Sequence, residues 1–232
     1  MSVAVVADAH LGGPGGDAAL LLEQLRDLPG QGCEHLVLLG DLFHVWVGDP
    51  RYETPEIREL LPGLQELRDR GVRLSYVEGN RDFFLEHGPY AELFDELATE
   101  VAFEAAGLRH LAVHGDGLNE RDWWYRSWRA ISKSLPSRLL FRRLPGKLAR
   151  RIVHSTEAGL ARTNFKHKSE IPESVILRYA RERLAEGYDV MLLGHFHEPR
   201  AWRVAGGEVR IVDAWFHTRE IEWLSGPGRE VA

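Results

Sequence analysis

Short apolar runs alternate along the chain with short polar clusters. Four runs are rich in leucine or β-branched residues and are short enough to be buried strands: residues 3–6, 36–39, 111–113 and 191–193. A fifth, less regular run covers residues 74–77. Segments 17–28 and 55–70 carry helical patterns, the second interrupted by Pro62. The pattern predicts an α/β fold in which helices cover the sheet.

Polar clusters follow these five runs. They are Asp8-Ala9-His10, Gly40-Asp41, Gly79-Asn80-Arg81-Asp82, His114-Gly115-Asp116 and Gly194-His195-Phe196-His197. Residues just past the carboxyl ends of neighbouring strands converge on one edge of a sheet. We therefore expect one cleft to hold seven side chains that can bind metal: Asp8, His10, Asp41, Asn80, His114, His195 and His197. Turn capping or core packing explains this ordered set poorly.

The chemistry of the set favours a pair of metal ions. Carboxylate and imidazole suit Mn, Fe or Zn. Cys33 is the single cysteine, which argues against a structural zinc site held by thiolates. Seven ligands are too many for one tetrahedral ion but suit two ions about 3.5 to 4 Å apart that share a carboxylate. Such a pair lowers the pKa of a bound water and binds the attacking and leaving oxygens at phosphorus. The set predicts phosphoester hydrolysis.

The order of the motifs, D-x-H, G-D, G-N-[HR]-[DE], H-G-D and G-H-x-H, resembles the calcineurin-like metallophosphoesterase family from Asp8 to His197. The resemblance implies a four-layer αββα sandwich, with two mixed β-sheets face to face and helices outside. It assigns Asp8, His10 and His197 to one metal, Asn80, His114 and His195 to the second, and Asp41 to the bridge. The implied cofactors are two divalent metal ions, Mn2+ first, with Fe or Zn as alternatives.

Further residues resemble the branch of this family that cleaves UDP-2,3-diacylglucosamine to UMP and 2,3-diacylglucosamine 1-phosphate in lipid A biosynthesis. They include Leu42, Phe43, Trp46, Asp49, Phe83, Leu118, Trp215 and His217. The implied catalytic residues are Asn80, Arg81, His114 and His195. The implied substrate-binding residues are Arg81, Asp122, Tyr125, Arg129, Lys166, Lys168, Leu140 and Phe141. The match is looser within residues 119–169, which leaves the uridine and glucosamine contacts open.

Arg81 bears on the kind of bond that is cleaved. Many members of the family have histidine at this position, where it assists an alkoxide leaving group by giving it a proton. Arginine cannot do this because it does not deprotonate near neutral pH. Cleavage of a pyrophosphate expels a phosphate monoester, whose second pKa is about 6, so that oxygen needs no proton. Arg81 then suits the charge that develops on the phosphates, although pairing with Asp82 is the simpler alternative.

Composition is compatible with one enzyme domain over residues 1–232. The chain is 44% hydrophobic, enough for a substantial core, and has a formal net charge of -6. The apolar start is stopped by Asp8, which is too early for a signal peptide, and no run reaches the length of a spanning helix. The single cysteine suits a cytoplasmic protein.

The charge is unevenly distributed. Residues 121–168 carry thirteen basic and two acidic residues. Leu139, Leu140 and Phe141 lie between the basic residues, and further apolar residues follow them at mostly three- and four-residue spacings. The pattern indicates a basic amphipathic helical cap, broken near Pro145, that is inserted between the fourth and fifth clusters. It could simply pack on the domain. The resemblance favours binding of the acyl chains at an anionic membrane surface, on the inner face of the cytoplasmic membrane.

Two other function classes stay open. A metal-dependent phosphodiesterase could use the basic segment to bind nucleic acid or nucleotides, but such an enzyme expels an alkoxide and has no use for leucines among the arginines. A non-catalytic phosphoesterase scaffold could bind a protein, but degenerate scaffolds lose ligands and this one keeps all seven. We expect a nucleotide-linked glycolipid substrate, no nucleic acid and no obligate protein partner.

Overall fold

The computed structural model describes residues 1–118, 127, 130–143 and 171–224. The strands of these ranges are β1 (Val3–Val6), β2 (His35–Leu38), β3 (Trp46–Val47), β4 (Arg73–Val77), β5 (Asp82–Phe83), β6 (Glu96–Ala98), β7 (Glu100–Ala105), β8 (Leu108–Val113), β9 (Val190–Leu193), β10 (Arg200–Val204), β11 (Gly207–Ile211) and β12 (Glu222–Trp223). The α-helices are α1 (Ala18–Asp27), α2 (Pro55–Asp69), α3 (Leu135–Arg143), α4 (Glu173–Leu184) and α5 (Trp215–Thr218).

Ten of these strands form two mixed sheets. The first has the order β12-β1-β2-β4-β6, in which β1, β2, β4 and β6 are parallel and β12 is antiparallel. The second has the order β10-β11-β9-β8-β7, with a parallel centre and an antiparallel strand at each edge. Strands β3 and β5 pair separately. The five predicted strands are therefore present as β1, β2, β4, β8 and β9, and each pairs in parallel with at least one neighbour.

Alternating residues divide the core into layers. In β1, Val3 and Val5 belong to a cluster between the sheets, whereas Ala4 and Val6 pack toward α1 and α2. In β9, Val190 and Leu192 face the other sheet, and the two residues that alternate with them, Met191 and Leu193, pack toward α4. Strands buried on both faces read as continuous apolar runs, which explains the pattern in the sequence. The four-layer αββα sandwich is as predicted.

The helices begin where the sequence indicates. Asp17 Oδ1 accepts a hydrogen bond from Leu20 N at 3.0 Å, and Thr54 Oγ1 accepts one from Ile57 N at 3.4 Å, so each residue caps the helix that follows.

The expected interruption at Pro62 is wrong, because α2 continues through it. Pro62 removes one helical hydrogen bond, but Ile57, Leu60, Leu64 and Leu67 are all buried on one face of the helix. Burial of four such side chains contributes roughly 1.5 to 3 kcal/mol each, more than the roughly 3 kcal/mol that the proline costs.

Helix α3 lies in the described part of the basic segment. Ser134 Oγ accepts a hydrogen bond from Ser137 N at 3.4 Å at its start, and the helix is described from Leu135 to Arg143. The remainder of the predicted cap lies outside the described ranges, so the extent of the cap stays a prediction. No helix in the part of the chain that the structure describes is long and apolar enough to cross a membrane.

Candidate metal centre

The five polar clusters meet where the carboxyl ends of the two sheets adjoin. Backbone hydrogen bonds join neighbouring loops, from Asp8 N to Gly40 O at 3.2 Å and from His10 N to Asp41 O at 3.1 Å. His195 N donates to Asp8 Oδ2 at 2.8 Å, and this bond links the second sheet to the first. Since each loop follows directly from a buried strand, the register of the sheets fixes the positions of the side chains.

One group of possible ligands consists of Asp8, His10 and His197. His197 Nε2 lies 3.1 Å from Asp8 Oδ1 and 3.2 Å from His10 Nε2, and His10 Nε2 lies 3.7 Å from the same carboxylate oxygen. Three ligand atoms therefore converge on one point. This is the set that the resemblance assigns to one metal.

A second group consists of Asp8, Asp41 and His114, which are all buried. His114 Nε2 lies 3.5 Å from Asp41 Oδ2 and 3.4 Å from Asn80 Oδ1. The ring of His195 lies 5.3 Å from that of His114, centroid to centroid. The seven predicted residues thus lie in one cleft, and Asp8 belongs to both groups. Asp8 is therefore the carboxylate common to both groups, whereas Asp41 belongs to the second.

The tautomer of His114 follows from its other nitrogen. Nδ1 lies 2.9 Å from Leu39 O, and a carbonyl can only accept, so Nδ1 carries a proton. Nε2 is then the atom that faces Asp41 and Asn80. A backbone partner of this kind fixes the ring of a metal-ligating histidine.

Two motif glycines leave room for a side chain from another loop. A Cβ at Gly40 would lie 2.5 Å from Nδ1 of His114, and a Cβ at Gly194 would lie 2.7 Å from Oδ2 of Asp8. Each glycine precedes a candidate ligand in its own motif and admits one from a neighbouring motif. The Gly-Asp and Gly-His spacings are therefore packing requirements of the centre.

Five of the seven residues have a positive φ: Asp8 (48°), His10 (46°), Asp41 (51°), His195 (68°) and His197 (58°). Non-glycine residues rarely adopt this left-handed conformation, although Asp and His do so more readily than most. Such outliers cluster at functional sites, where the surrounding structure holds them in place.

The protonation states suit cation binding. Burial opposes ionisation of Asp8, but the hydrogen bond to His197 and the nearby imidazoles hold its pKa well below its usual range. Asp41 is likewise buried, and His114, His10 and Arg81 hold its pKa well below its usual range. Burial lowers the pKa of His10 to about 3, which keeps this imidazole neutral. Two carboxylates and a neutral imidazole are the forms that a divalent ion binds.

The pKa of His114 reflects the negative potential of the centre. Burial disfavours its charged form, yet Asp41, Asp8 and Asp116 raise its pKa to about 10. A divalent cation bound there would balance the same carboxylates in place of the proton. The donor set and its charge therefore fit a pair of divalent cations.

Asp82, the last residue of its motif, supports the ligand loops. Its Oδ2 accepts hydrogen bonds from Gly79 N at 2.8 Å and Asp41 N at 3.3 Å. Burial, followed by the charge of Asp41, raises the pKa of Asp82 to about 7. The motif residue after Arg81 thus holds two ligand-bearing loops together, and the ion pair described for Arg81 is with Asp41.

Arg81 lies at the edge of the centre. Its Nε is 3.4 Å from Asp41 Oδ2, its Nη1 donates to His44 O at 3.1 Å, and its backbone N donates to Asp41 Oδ1 at 2.9 Å. The guanidinium is thereby held beside a carboxylate of the second candidate ligand group.

Two neighbours of the centre were missed by the sequence analysis. Phe216 packs edge-on against His10 and His197, with ring centroids 5.2 and 5.1 Å apart. His44 faces Arg81. Both lie within two or three residues of matched motif positions, and that proximity was the available signal.

Only some of the predicted substrate-binding residues lie in the part of the chain that the structure describes. Leu140 lies on α3 and is 58% exposed. Phe141 belongs to the same helix, but its side chain is outside the description. Asp122, Tyr125, Arg129, Lys166 and Lys168 all lie outside the described residues. The structure adds Lys133, whose Nζ donates to Gly79 O at 2.8 Å and lies 3.9 Å from Glu78 Oε2.

Comparisons with known proteins agree with this geometry. The model of the calcineurin-like phosphoesterase superfamily domain matches residues 1–214. The chain belongs to the calcineurin-like phosphoesterase superfamily. It is accordingly a metal-dependent hydrolase, and the superfamily fold implies a pair of divalent ions.

Curated members of this superfamily resemble the whole chain. The UDP-2,3-diacylglucosamine hydrolase of Ralstonia nicotianae is 30% identical over 224 residues, which cover 90% of this chain and 82% of the relative. That of Aeromonas hydrophila is 32% identical over 242 residues, covering 99% and 97%. A solved structure of a protein of unknown function from Aquifex aeolicus is 18% identical, covers 96% of this chain and 95% of its own, and has a TM-score of 0.46.

Proposed function

We propose that this phosphoesterase hydrolyses the pyrophosphate bond of UDP-2,3-diacylglucosamine to UMP and 2,3-diacylglucosamine 1-phosphate. The observation that carries the proposal is the place of Arg81, whose Nε lies 3.4 Å from Asp41 Oδ2 at the edge of the metal centre. The relatives named UDP-2,3-diacylglucosamine hydrolase, about 30% identical over most of the chain, support the same substrate.

The proposed ligands are the seven cleft residues. Asp8, His10 and His197 would hold one ion, Asn80, His114 and His195 the other, and Asp41 would contact both, with Mn2+ as the first choice. When bound, such a pair supplies an activated water and charge stabilisation at phosphorus.

Other residues of the chain would bind the phosphates and hold the ligands in position. The Arg81 guanidinium has donors only and would bind the phosphate oxygens on the leaving side, where charge develops. It would transfer no proton, which a departing phosphate does not require. Leu39 O and Asp82 hold His114 and Asp41 in place, so that little rearrangement is needed when substrate arrives.

The segment that contains α3 is proposed to bind the diacyl part of the substrate. Ile131, Leu135, Leu139 and Leu140 are 49 to 66% exposed, and Arg138 and Arg143 lie on the same helix. Arg138 also lines a cavity of about 280 Å³, together with Val47, Tyr52 and Phe84. An apolar surface beside basic side chains suits an anionic lipid.

This arrangement supports action at a membrane surface. Lys133 places the segment next to Gly79, so acyl chains bound there would belong to a substrate whose phosphates reach the metal centre. We propose peripheral association with the inner face of the cytoplasmic membrane. The buried free thiol of Cys33 is consistent with a reducing compartment.

The test is product analysis with metal-loaded protein. UDP-2,3-diacylglucosamine should give UMP and 2,3-diacylglucosamine 1-phosphate, identified by mass spectrometry. Single-stranded DNA and bis-p-nitrophenyl phosphate, offered in parallel, should be cleaved far more slowly. Rapid cleavage of DNA with an intact UDP-lipid would replace the proposal with a nuclease.

A further inference from the structure

His44 lies in the same loop as Asp41 and is tied to a second ligand loop. Its backbone N donates to Leu11 O at 2.8 Å, and Leu11 N donates to Leu42 O at 3.0 Å. This short parallel pairing of residues 42–44 with residues 10–11 holds His44 against the loop that carries His10. The backbone position of His44 is therefore fixed by its pairing with the loop that carries His10.

The imidazole of His44 packs against a glycine. A Cβ at Gly13 would lie 2.6 Å from Nδ1 and 2.9 Å from Cγ of His44. Any larger residue at position 13 would displace the ring or the turn. Gly13 therefore allows the half-buried ring to approach the His10 loop.

Arg81 meets His44 at two atoms. Its Nη1 lies 3.2 Å from His44 Nδ1 and 3.1 Å from His44 O. A guanidinium offers donors only, so Nδ1 must accept, and the ring is the neutral tautomer with its proton on Nε2. On the other edge of the guanidinium, Nε faces Asp41 Oδ2 at 3.4 Å. A planar group that is held at two of its nitrogens has a defined orientation.

We propose that His44 is a positioning residue for Arg81 and, through Arg81, for the pyrophosphate of the substrate. The inference rests on the proposed function, because it assigns Arg81 to the phosphates. Without the imidazole, Arg81 loses one of its acceptors and gains rotameric freedom that substrate binding must remove. Selectivity for pyrophosphate over an isolated phosphodiester is then a property of the His44–Arg81 pair.

Two substitutions separate the acceptor from the shape of the side chain. His44→Leu removes the acceptor, and His44→Asn keeps one at about the position of Nδ1. With UDP-2,3-diacylglucosamine, kcat/KM should fall about tenfold for His44→Leu, equivalent to ~1.4 kcal/mol, and less than about threefold for His44→Asn. Hydrolysis of bis-p-nitrophenyl phosphate should change less than about twofold in both. His44→Ala replaces His44→Leu should the latter fail to fold.

A double-mutant cycle tests whether His44 acts through Arg81. In an Arg81→Ala background, His44→Leu should cause no further loss. Losses that multiply would show that His44 acts independently and would overturn the proposal. Equal losses for His44→Asn and His44→Leu would also overturn it, since the acceptor would then be irrelevant.

Ligand binding provides a readout apart from turnover. Methylenediphosphonate has two linked phosphorus centres and is not hydrolysed at the bridge. Its Kd for metal-loaded protein should rise several-fold in His44→Leu, stay near wild type in His44→Asn, and be insensitive to His44 once Arg81 is removed. This coupling is measured even if UDP-2,3-diacylglucosamine proves not to be the substrate, so failure of the positioning role and of the proposed function are distinguishable. A Kd unchanged in His44→Leu contradicts the positioning role.

Discussion

At the scale of single residues, the candidate centre combines buried charge with unfavourable backbone conformations. Asp8 and Asp41 are buried carboxylates with positive φ, and three histidines share that conformation. Each left-handed non-glycine residue costs roughly 1 to 2 kcal/mol, so the neighbouring loops must hold these residues in place. Bound cations would add to that stabilisation.

Removal of the Asp41 carboxylate should abolish hydrolysis, because each ion would lose a ligand. We expect Asp41→Ala to reduce kcat by ~10²-fold or more under metal saturation and to lower the metal content per chain, measured by mass spectrometry of the bound ions. Asp41→Asn, which tolerates positive φ better, separates strain from ligand loss. Asp17→Ala is the control, since Asp17 only caps α1 and should affect stability by ~1 kcal/mol. Retention of more than about a tenth of the activity by Asp41→Ala, a loss below ~1.4 kcal/mol, would contradict the bridging role.

At the scale of elements, the segment containing α3 connects a surface of exposed apolar side chains to the ligand loop after β4. Lys133 makes this connection, with its side chain 16% exposed between Gly79 O and Glu78. The leucines of α3 remain exposed. This combination of a fixed contact and exposed apolar side chains suits the proposed substrate cap.

Lys133→Met should loosen this connection. A charge-assisted hydrogen bond contributes roughly 1.5 to 3 kcal/mol, less when partly exposed, so KM for the diacylated substrate should rise about three- to tenfold. Hydrogen exchange of residues 130–143 should also accelerate. Arg73→Met, which breaks the exposed pair between Arg73 and Glu96 at 3.0 Å on the core, is the matched control. Unchanged exchange in Lys133→Met would mean that the contact does not hold the segment.

Leu139→Ser with Leu140→Ser should weaken binding of acyl chains. Each apolar side chain contributes roughly 1.5 to 3 kcal/mol when buried by a ligand, so affinity for the diacylated substrate should fall at least about tenfold. Turnover of a non-acylated analogue should barely change. Leu108→Ser is the control, because this leucine is 43% exposed at the end of β8 away from His114. Equal effects on both substrates would refute lipid binding by α3.

The sequence allowed prediction of the strands and of the residues that follow them, because apolar runs and motif spacing are local signals. The contacts of His44 and Lys133 were not predictable, since they join segments 37 and 54 residues apart. The positive φ values could not be predicted from the sequence either, because Asp and His occur in many backbone conformations. Pro62 misled the prediction because burial of the α2 face, a tertiary effect, outweighs a local one.

At the scale of the whole molecule, two sheets share an apolar interface that contains a buried histidine. His35 Nε2 lies 2.9 Å from Ser75 Oγ in the first sheet, and the ring of Phe103 in the second sheet packs edge-on at 5.5 Å. Burial lowers the pKa of His35 from 6.5 to about 4. The interface therefore excludes the charged form of this residue.

Stability should depend on pH through His35. Above pH 6.5 the side chain is neutral in both states, so its contribution is constant. Between pH 6.5 and about 4 the unfolded chain takes up a proton that the folded chain does not. The free energy of unfolding therefore decreases as the pH is lowered, by at most roughly 3 kcal/mol. In His35→Leu with Ser75→Ala, urea unfolding should show a smaller fall over this range, whereas exposed His87→Leu should keep the wild-type slope. Identical slopes in all three proteins would exclude this role for His35.

Selectivity between two phosphorus substrates tests the central claim most directly. The measurement is the ratio of kcat/KM for UDP-2,3-diacylglucosamine to that for bis-p-nitrophenyl phosphate, in wild type and in Arg81→Ala. Because the aryl diester lacks the second phosphate, Arg81→Ala should lower the ratio by ~10²-fold or more. An equal loss on both substrates would place Arg81 in support of the metal centre alone, and a wild-type preference for the diester would contradict pyrophosphate hydrolysis altogether.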